Sequence, residues 1–150
     1  LGLVYAPYLN ELYEACKGKG SMLNGRSIHV SGKNDTQESV VSTGFPIDKD
    51  RNPDNNLDNL ARILPMVRGV RRQGSAAFDL CCVAAGILDG YWEFNLHLWD
   101  VCAGILIVTE AGGTVRSFRE DRNVSIVAGT PAIVEQLYPR LSDKPGKICL

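Results

Sequence analysis

The sequence lacks any marked excess of charge of one sign. Its 150 residues include 16 Lys and Arg against 17 Asp and Glu, and the formal net charge is −1. Surfaces that bind nucleic acids or anionic membranes are rich in basic side chains. The composition therefore predicts no nucleic-acid partner and no membrane partner.

Long apolar runs and paired cysteines are also lacking. The longest apolar run, residues 101–108, is far shorter than the roughly 20 residues that span a bilayer, and no leader-like pattern opens the chain. The odd number of cysteines and the absence of a C-x-x-C pair predict reduced core thiols in a cytoplasmic protein. These cysteines are Cys16, Cys81, Cys82, Cys102 and Cys149.

The chain is long enough, and at 45% hydrophobic residues apolar enough, for one compact core. It opens on Leu1 without an initiator Met and already in a strand-like run, so we expect it to be a piece of a longer protein. A composition shift near Gly32 divides it. Residues 1–34 are predicted to be the remaining strands of a mostly antiparallel N-terminal sheet, and residues 35–150 a C-terminal α/β lobe.

The order of predicted elements indicates an α/β layered sandwich with two sheets. Strand-like runs at 1–6, 11–16 and 27–30 are separated by turn residues, as in a meander. Predicted strands and helices then alternate, which is typical of an α/β lobe. The strands are expected at 40–44, 70–73, 91–94 and 125–128, and the helices at 54–67, after the N-cap Ser75, from the N-cap Asp100 to Gly112, and at 131–141.

A turn of small residues, Gly74-Ser75-Ala76, lies directly before a predicted helix. The unpaired N–H groups and the positive dipole end of a helix favour an anionic or oxygen-rich group, which small side chains allow to come close. An ordinary capped turn has the same pattern, and the sequence alone does not separate the two interpretations.

Two carboxylates lie nearby in sequence. Asp100 follows Trp99 and precedes an apolar helix, where it could act as a cap, as a ligand of a hard cation such as Mg²⁺, or as both. Glu93 is flanked by aromatic residues and could accept hydrogen bonds from a polyol, although an outward-facing strand residue would fit as well. His97 is interpreted as a structural or rim residue.

Other charged groups are interpreted as solvated. The basic pair Arg71-Arg72 precedes Gly74 and is expected to face water. Three carboxylates in a polar loop and helix start are also expected to be solvated and not to bind metal: Asp48, Asp54 and Asp58.

Several motifs occur together and resemble the inositol monophosphatase family. They are RQGSAAFDL at residues 72–80, VAAG at 83–86, LDGYWE at 88–93, WDVCAG at 99–104 and EAGG at 110–113. Further similarity to the family's hairpin region lies in YAP at 5–7, ELY at 11–13, KGKG at 17–20 and LNG at 23–25. The resemblance extends to about residue 141.

The resemblance implies an α/β/α/β/α sandwich, usually a homodimer, and Mg²⁺-dependent hydrolysis of a phosphate monoester by a metal-activated water. It also implies residue roles. Asp100 would be the catalytic metal ligand, and Glu93 would bind substrate hydroxyls. Gly74, Ser75 and Ala76 would line the substrate pocket with backbone groups.

One part of the family pattern is missing from the sequence. Family members carry a D-P-x-D-G-[ST] motif and an earlier Glu that supply most metal ligands, and neither is found here. Activity on inositol monophosphate or a related sugar phosphate is therefore expected of the full-length parent, and the 150-residue chain alone is expected to be inactive. The alternative is a truncated, catalytically incomplete paralogue that acts by dimerisation or regulation. Fructose bisphosphate, histidinol phosphate and a 3′-phosphonucleotide stay open as substrates.

Overall fold

The first sheet is an antiparallel meander of four strands. A computed structural model describes residues 1–120 and 123–141 of the chain. The strands are β1 (Gly2–Ala6), β2 (Glu11–Ala15), β3 (Ser21–Leu23) and β4 (Arg26–Ile28), paired in sequence order. Asn24 and Gly25 have positive φ values of 49° and 75°, which suit a tight two-residue hairpin between β3 and β4. β3 was not predicted, because only three residues separate its two turns.

The second sheet is mixed and has five strands. These are β5 (Val40–Thr43), β6 (Gly69–Arg71), β7 (Gly90–Leu96), β8 (Thr114–Ser117) and β9 (Val124–Gly129), in the order β6-β5-β7-β9-β8. β5 runs parallel to β6 and β7, whereas β9 is antiparallel to β7 and β8. The helices are α1 (Leu57–Ile63), α2 (Ala76–Ala84), α3 (Leu98–Glu110) and α4 (Pro131–Leu137).

Two apolar clusters show how the layers stack. In the larger cluster, α2 and α3 lie between the two sheets, with Tyr13 of β2 and Tyr91 of β7 buried on opposite sides of the helices. In the smaller cluster, Trp92 of β7 packs with α1 and α4 on the other face of the second sheet. Adjacent strand residues point to opposite faces, so β7 serves both clusters. The predicted α/β layered sandwich is confirmed, whereas the division at residue 34 stays a prediction.

The predicted starts of α2 and α3 had different outcomes. Ser75 is the N-cap of α2, as predicted, and its hydroxyl accepts a hydrogen bond from the Phe78 N–H at 3.4 Å. The prediction that Asp100 is the N-cap of α3 is wrong. The cap is His97, and Asp100 lies at the third helical position, where its Oδ2 accepts a hydrogen bond from the His97 N–H at 2.9 Å. A carboxylate at that position completes a capping box from inside the helix.

The prediction of core cysteines holds for two of them. Cys81 and Cys82 are buried, but Cys16 and Cys102 are exposed and Cys149 lies outside the described residues. Cys102 directly follows the buried Val101, and one residue turns the side chain by about 100° around a helix. An apolar run on a helix therefore does not bury every member. Among residues 1–120 and 123–141, no helix is long and apolar enough to cross a bilayer.

Candidate active site

A cavity of about 440 Å³ opens where the N-termini of α2 and α3 approach β5 and β7. It is lined by all five residues that the sequence predicts for the site, namely Gly74, Ser75, Ala76, Glu93 and Asp100. Residues far apart in the chain thus share one concave surface. The role of each residue there stays a prediction.

The wall formed by α2 is built from small residues. Gly74 has φ +89°, a conformation that L side chains rarely adopt, and it turns the chain into the extended N-cap Ser75. Ala76 and Ala77 follow in the first helical turn and also line the cavity. Because the first N–H groups of a helix have no partner within the helix, this wall can offer backbone donors to an anion.

Asp100 lies on the facing wall, in the first turn of α3. The positive end of the helix dipole stabilises a carboxylate at this position. The hydrogen bond from the His97 N–H occupies Oδ2 and fixes the orientation of the side chain. Asp100 is half-buried and lines the cavity, so it fits the role of one oxygen ligand to a hard cation.

The described residues do not complete a metal site around Asp100. Within residues 1–120 and 123–141, no three His, Cys, Asp or Glu side chains form a group that could hold a metal ion. Mg²⁺ prefers six oxygen ligands, several of which are usually waters or substrate oxygens. The donor set described here therefore fits a contribution to a metal site and not a whole one.

Glu93 enters the same cavity from β7. The Tyr91 hydroxyl donates a hydrogen bond of 2.6 Å to Glu93 Oε2 from two residues earlier on the same strand face. Burial raises the pKa of the Glu93 carboxyl, and the Tyr91 hydrogen bond and the Arg72 charge oppose this effect in part. Nearby Asp100 adds to the rise in the pKa because like charges repel.

The sequence profile of the inositol monophosphatase family matches residues 1–144. The chain belongs to the inositol monophosphatase family. The predicted family is thereby confirmed. Family membership implies metal dependence in general and does not specify the ion.

Known proteins similar to the chain carry two kinds of name. A putative Nus factor SuhB of Neisseria meningitidis serogroup B is 43% identical over 144 residues, which are 93% of this chain and 55% of that protein. An inositol-1-monophosphatase of Synechocystis sp. is 45% identical over 118 residues, 79% of this chain and 41% of that protein. The chain thus spans about half the length of these relatives.

Solved structures support the same fold. The inositol monophosphatase of Anabaena (Nostoc) sp. superposes with a TM-score of 0.87 at 36% identity, covering 95% of this chain and 59% of that one. The Thermotoga maritima inositol monophosphatase superposes with a TM-score of 0.80 at 31% identity, covering 92% of this chain and 54% of that one. The layered arrangement around the cavity is therefore the family fold.

Several other residues line the cavity, and they were not assigned to the site from the sequence. Gly44, Phe45 and Ile47 come from the segment after β5, and Trp99 from the start of α3. Arg72 was interpreted as solvated; it is exposed, but it also lines the cavity and acts on the pKa of Glu93. The only sequence indication was that Arg72 lies two residues before the Gly74 turn. Trp99 was noted only as a neighbour of Asp100, and the His97 ring stacks on it at 4.2 Å between centroids, in accord with a rim position.

The segment after β5 is anchored by buried polar residues, and one prediction about it is wrong. Asp54 was expected to be solvated, but it is buried and pairs with Arg119 at 2.8 Å. The polar composition of the loop suggested a solvated carboxylate, but the charge of Arg119 compensates the burial of Asp54. The buried Asn56 side chain donates to the carbonyl of Gly44 at 2.7 Å and accepts from Trp92 Nε1 at 3.0 Å. These contacts hold the cavity wall that contains Gly44.

A further carboxyl, Asp79 of α2, is buried behind the site and was also missed. Desolvation raises its pKa to about 6, with a smaller upward contribution from Glu93. The charge of Arg72 lowers the pKa of Asp79 in part, whereas Ser42 Oγ and Asp79 Oδ1 have no hydrogen-bond partner among the described residues. The position is one helical turn beyond the Ser75 cap. Its environment could not be read from the sequence because it depends on β5 and β7.

Proposed function

We propose that the protein to which this chain belongs hydrolyses a phosphate monoester in a Mg²⁺-dependent reaction. The observation that carries the proposal is the shared cavity, where the α2 N-terminus, Asp100 and Glu93 meet. Membership of the inositol monophosphatase family supports the reaction class. The substrate that fits best is inositol monophosphate or a related sugar phosphate.

On this proposal, different residues of the chain interact with the phosphate group and with the hydroxyl groups of the substrate. Asp100 would hold the cation, and bound Mg²⁺ would supply a water activated for attack on phosphorus. The backbone of Gly74, Ser75 and Ala76 would take substrate oxygens at the α2 N-terminus. Glu93 would accept hydrogen bonds from hydroxyl groups, which an aryl phosphate lacks and a polyol phosphate has.

The test is release of inorganic phosphate by the whole protein, with inositol 1-phosphate and para-nitrophenyl phosphate as substrates. We expect release to stop with EDTA and to return when Mg²⁺ is added in excess. Turnover that is indifferent to EDTA would contradict a metal-dependent reaction. No turnover of any sugar phosphate, phosphonucleotide or aryl phosphate would contradict the proposal as a whole.

A second candidate function is non-catalytic. The relatives named Nus factor SuhB, from Neisseria, Salmonella and Escherichia coli among others, favour it. On this proposal the chain belongs to a protein that acts through dimerisation or regulation, in the role that the name Nus factor gives these relatives, and the prediction of no nucleic-acid partner from charge is without support.

Genetic complementation separates the two candidates. In a strain that lacks the gene, Asp100→Asn should fail to restore the phenotype if hydrolysis is the function in the cell. Full restoration by Asp100→Asn, together with loss of phosphate release in vitro, would favour the non-catalytic role. A homodimer and a cytoplasmic location are proposed for both candidates.

A further inference from the structure

The Glu93 carboxylate accepts a hydrogen bond from a rigid donor, the hydroxyl of Tyr91. Tyr91 is fully buried in the larger apolar cluster, so its ring has no room to move. Its hydroxyl reaches Glu93 Oε2 at 2.6 Å, a length typical of a strong hydrogen bond to an ionised oxygen. Among the residues that the structure describes, no hydrogen bond involves Glu93 Oε1. One oxygen is therefore fixed while the other is available to the cavity.

The backbone of Gly44 packs directly against the Glu93 carboxylate. It lies at the end of β5, is buried, and lines the cavity together with Glu93. A Cβ atom placed at Gly44 would overlap the Glu93 carboxylate, including both of its oxygens. The carboxylate occupies its position only because residue 44 has no side chain.

We propose that Tyr91 and Gly44 are positioning residues that fix the Glu93 carboxylate with Oε1 facing the cavity, and that they thereby set the preference for substrates with hydroxyl groups. The inference rests on the proposed function, since it names the specificity determinants of that site. Tyr91 is not among the described residues that line the cavity, and Gly44 lines it without offering a side chain. Both act through Glu93.

The physical advantage of this arrangement is preorganisation. A free Glu side chain loses rotamer entropy when a ligand fixes it, and here the fold has already fixed the side chain before a substrate arrives. The buried tyrosine also aligns one lone pair with a neutral donor and not with a competing cation. Arg72 acts on the pKa of Glu93, but no ion pair between the two occurs among the described residues.

The first test is Tyr91→Phe, which removes the hydroxyl and keeps the ring. We expect the ratio of kcat/KM for inositol 1-phosphate to kcat/KM for para-nitrophenyl phosphate to fall by about tenfold, the effect of one charge-assisted hydrogen bond. The matched control is Tyr13→Phe. Tyr13 is also fully buried and donates to a glutamate two residues away, Glu11, at 2.8 Å, but it lies in the first sheet. The control should leave the ratio unchanged.

The second test is Gly44→Ala, whose Cβ displaces the carboxylate directly. The backbone at Gly44 does not have positive φ, so alanine causes no conformational strain there. We expect the same ratio to fall by at least about tenfold, mainly through KM for the polyol phosphate. The control is Gly32→Ala, where nothing lies within 4 Å of the added atom. The double variant Tyr91→Phe/Glu93→Gln should have the same kcat/KM ratio as Glu93→Gln alone, because Tyr91 acts only through Glu93.

A measurement without turnover separates this inference from the proposed function. The hydrogen bond from Tyr91 lowers the pKa of Glu93, so Tyr91→Phe should raise that pKa in a carboxyl-carbon NMR titration, whereas Tyr13→Phe should not. A shifted Glu93 pKa with no turnover of any phosphate monoester would leave the positioning intact and contradict the function. Equal losses on both substrates, or an unchanged Glu93 pKa, would overturn the inference.

Discussion

Glu110, a half-buried carboxylate at the last position of α3, shows how one side chain can hold a distant loop. Its two oxygens accept hydrogen bonds from the N–H groups of Gly18 and Gly20 at 2.9 and 3.0 Å. Both glycines have positive φ, which lets the turn after β2 aim its donors at the helix end. These donors hold the pKa of Glu110 below its ordinary value.

Glu110→Gln should therefore destabilise the fold at neutral pH. The amide offers one acceptor oxygen in place of two charged ones, so one glycine N–H loses its partner. Because the folded pKa is depressed, the stabilisation is present above the ordinary value of 4.5 and is lost as the pH falls through the folded pKa. In urea unfolding, the difference between wild type and variant should be clear at neutral pH and shrink in acid.

The control for that prediction is Glu135→Gln. Glu135 is exposed and pairs with Arg116 at 2.9 Å on the surface, where ion pairs contribute between 0 and about 1 kcal/mol. We expect little change at any pH. A Glu110 variant that behaves like the Glu135 variant would show that the turn does not depend on Glu110.

Asp79 should affect the pH dependence of stability in the sense opposite to Glu110, because its folded pKa is raised and not lowered. Burial raises the folded pKa of Asp79 to about 6, against 3.8 in the ordinary case. The folded state then holds more protons than the unfolded state between these values, so wild-type stability falls as the pH rises through this window. The loss is about 3 kcal/mol, and asparagine should remove it.

Urea unfolding of both proteins between pH 4 and pH 8 would measure this effect. The Asp79→Asn variant should have the flatter profile and gain on wild type as the pH rises. Parallel profiles would mean that Asp79 is compensated by a partner such as Arg72 more fully than its burial indicates.

At the scale of elements, α2 and α3 pack closely against each other at Gly104. A carbon added there would lie 2.6 Å from Leu80 Cδ1 and 2.8 Å from Leu80 Cβ. Gly104 lies one turn after Asp100, and Leu80 is in the second turn of α2. The packing of the two helices at this point leaves no room for a side chain at residue 104.

Gly104→Ala should destabilise the fold even though alanine is the better helix former. The gain in helix propensity is at most about 1 kcal/mol, whereas overpacking costs about 1–3 kcal/mol. We expect a net loss of about 1 kcal/mol in urea unfolding. Adding Leu80→Ala should cost less in the Gly104→Ala background than in wild type, because the smaller side chain relieves the contact. A Gly104→Ala protein more stable than wild type would exclude a tight contact.

Elements with clear periodicity and punctuation were predictable from sequence, whereas two of the short strands were missed. Ser75 was identified as a cap because a small-residue turn precedes an apolar helical pattern. β3 and β8 were missed because their pairing partners, and not their composition, make them strands. The start of α3 was misplaced because Asp100 is a good cap residue, while the extended backbone of His97 is not visible in sequence.

At the scale of the whole molecule, motifs predicted the site and tertiary packing completed it. The five predicted residues meet at one cavity because α2 and α3 start at the same end of the helical layer. Gly44 and Tyr91 could not be assigned from sequence, since their effect depends on the position of the Glu93 carboxylate. Asp54 was misjudged because its partner, Arg119, lies 65 residues away.

The central claim is that Asp100 holds a catalytic Mg²⁺ in the whole protein, and Asp100→Asn tests it most directly. Asparagine keeps an oxygen for the His97 N–H, so the helix start should survive, but it lacks the charge that binds the ion. The matched control is Asp58→Asn on the surface of α1, where Asp58 pairs with Arg62 at 2.9 Å.

The measurement is phosphate release from inositol 1-phosphate in saturating Mg²⁺, with the melting temperature recorded for each protein. We predict that Asp100→Asn lowers turnover by about a hundredfold or more while the melting temperature stays close to that of wild type. Asp58→Asn should behave like wild type. Turnover by folded Asp100→Asn at the wild-type rate would contradict the account.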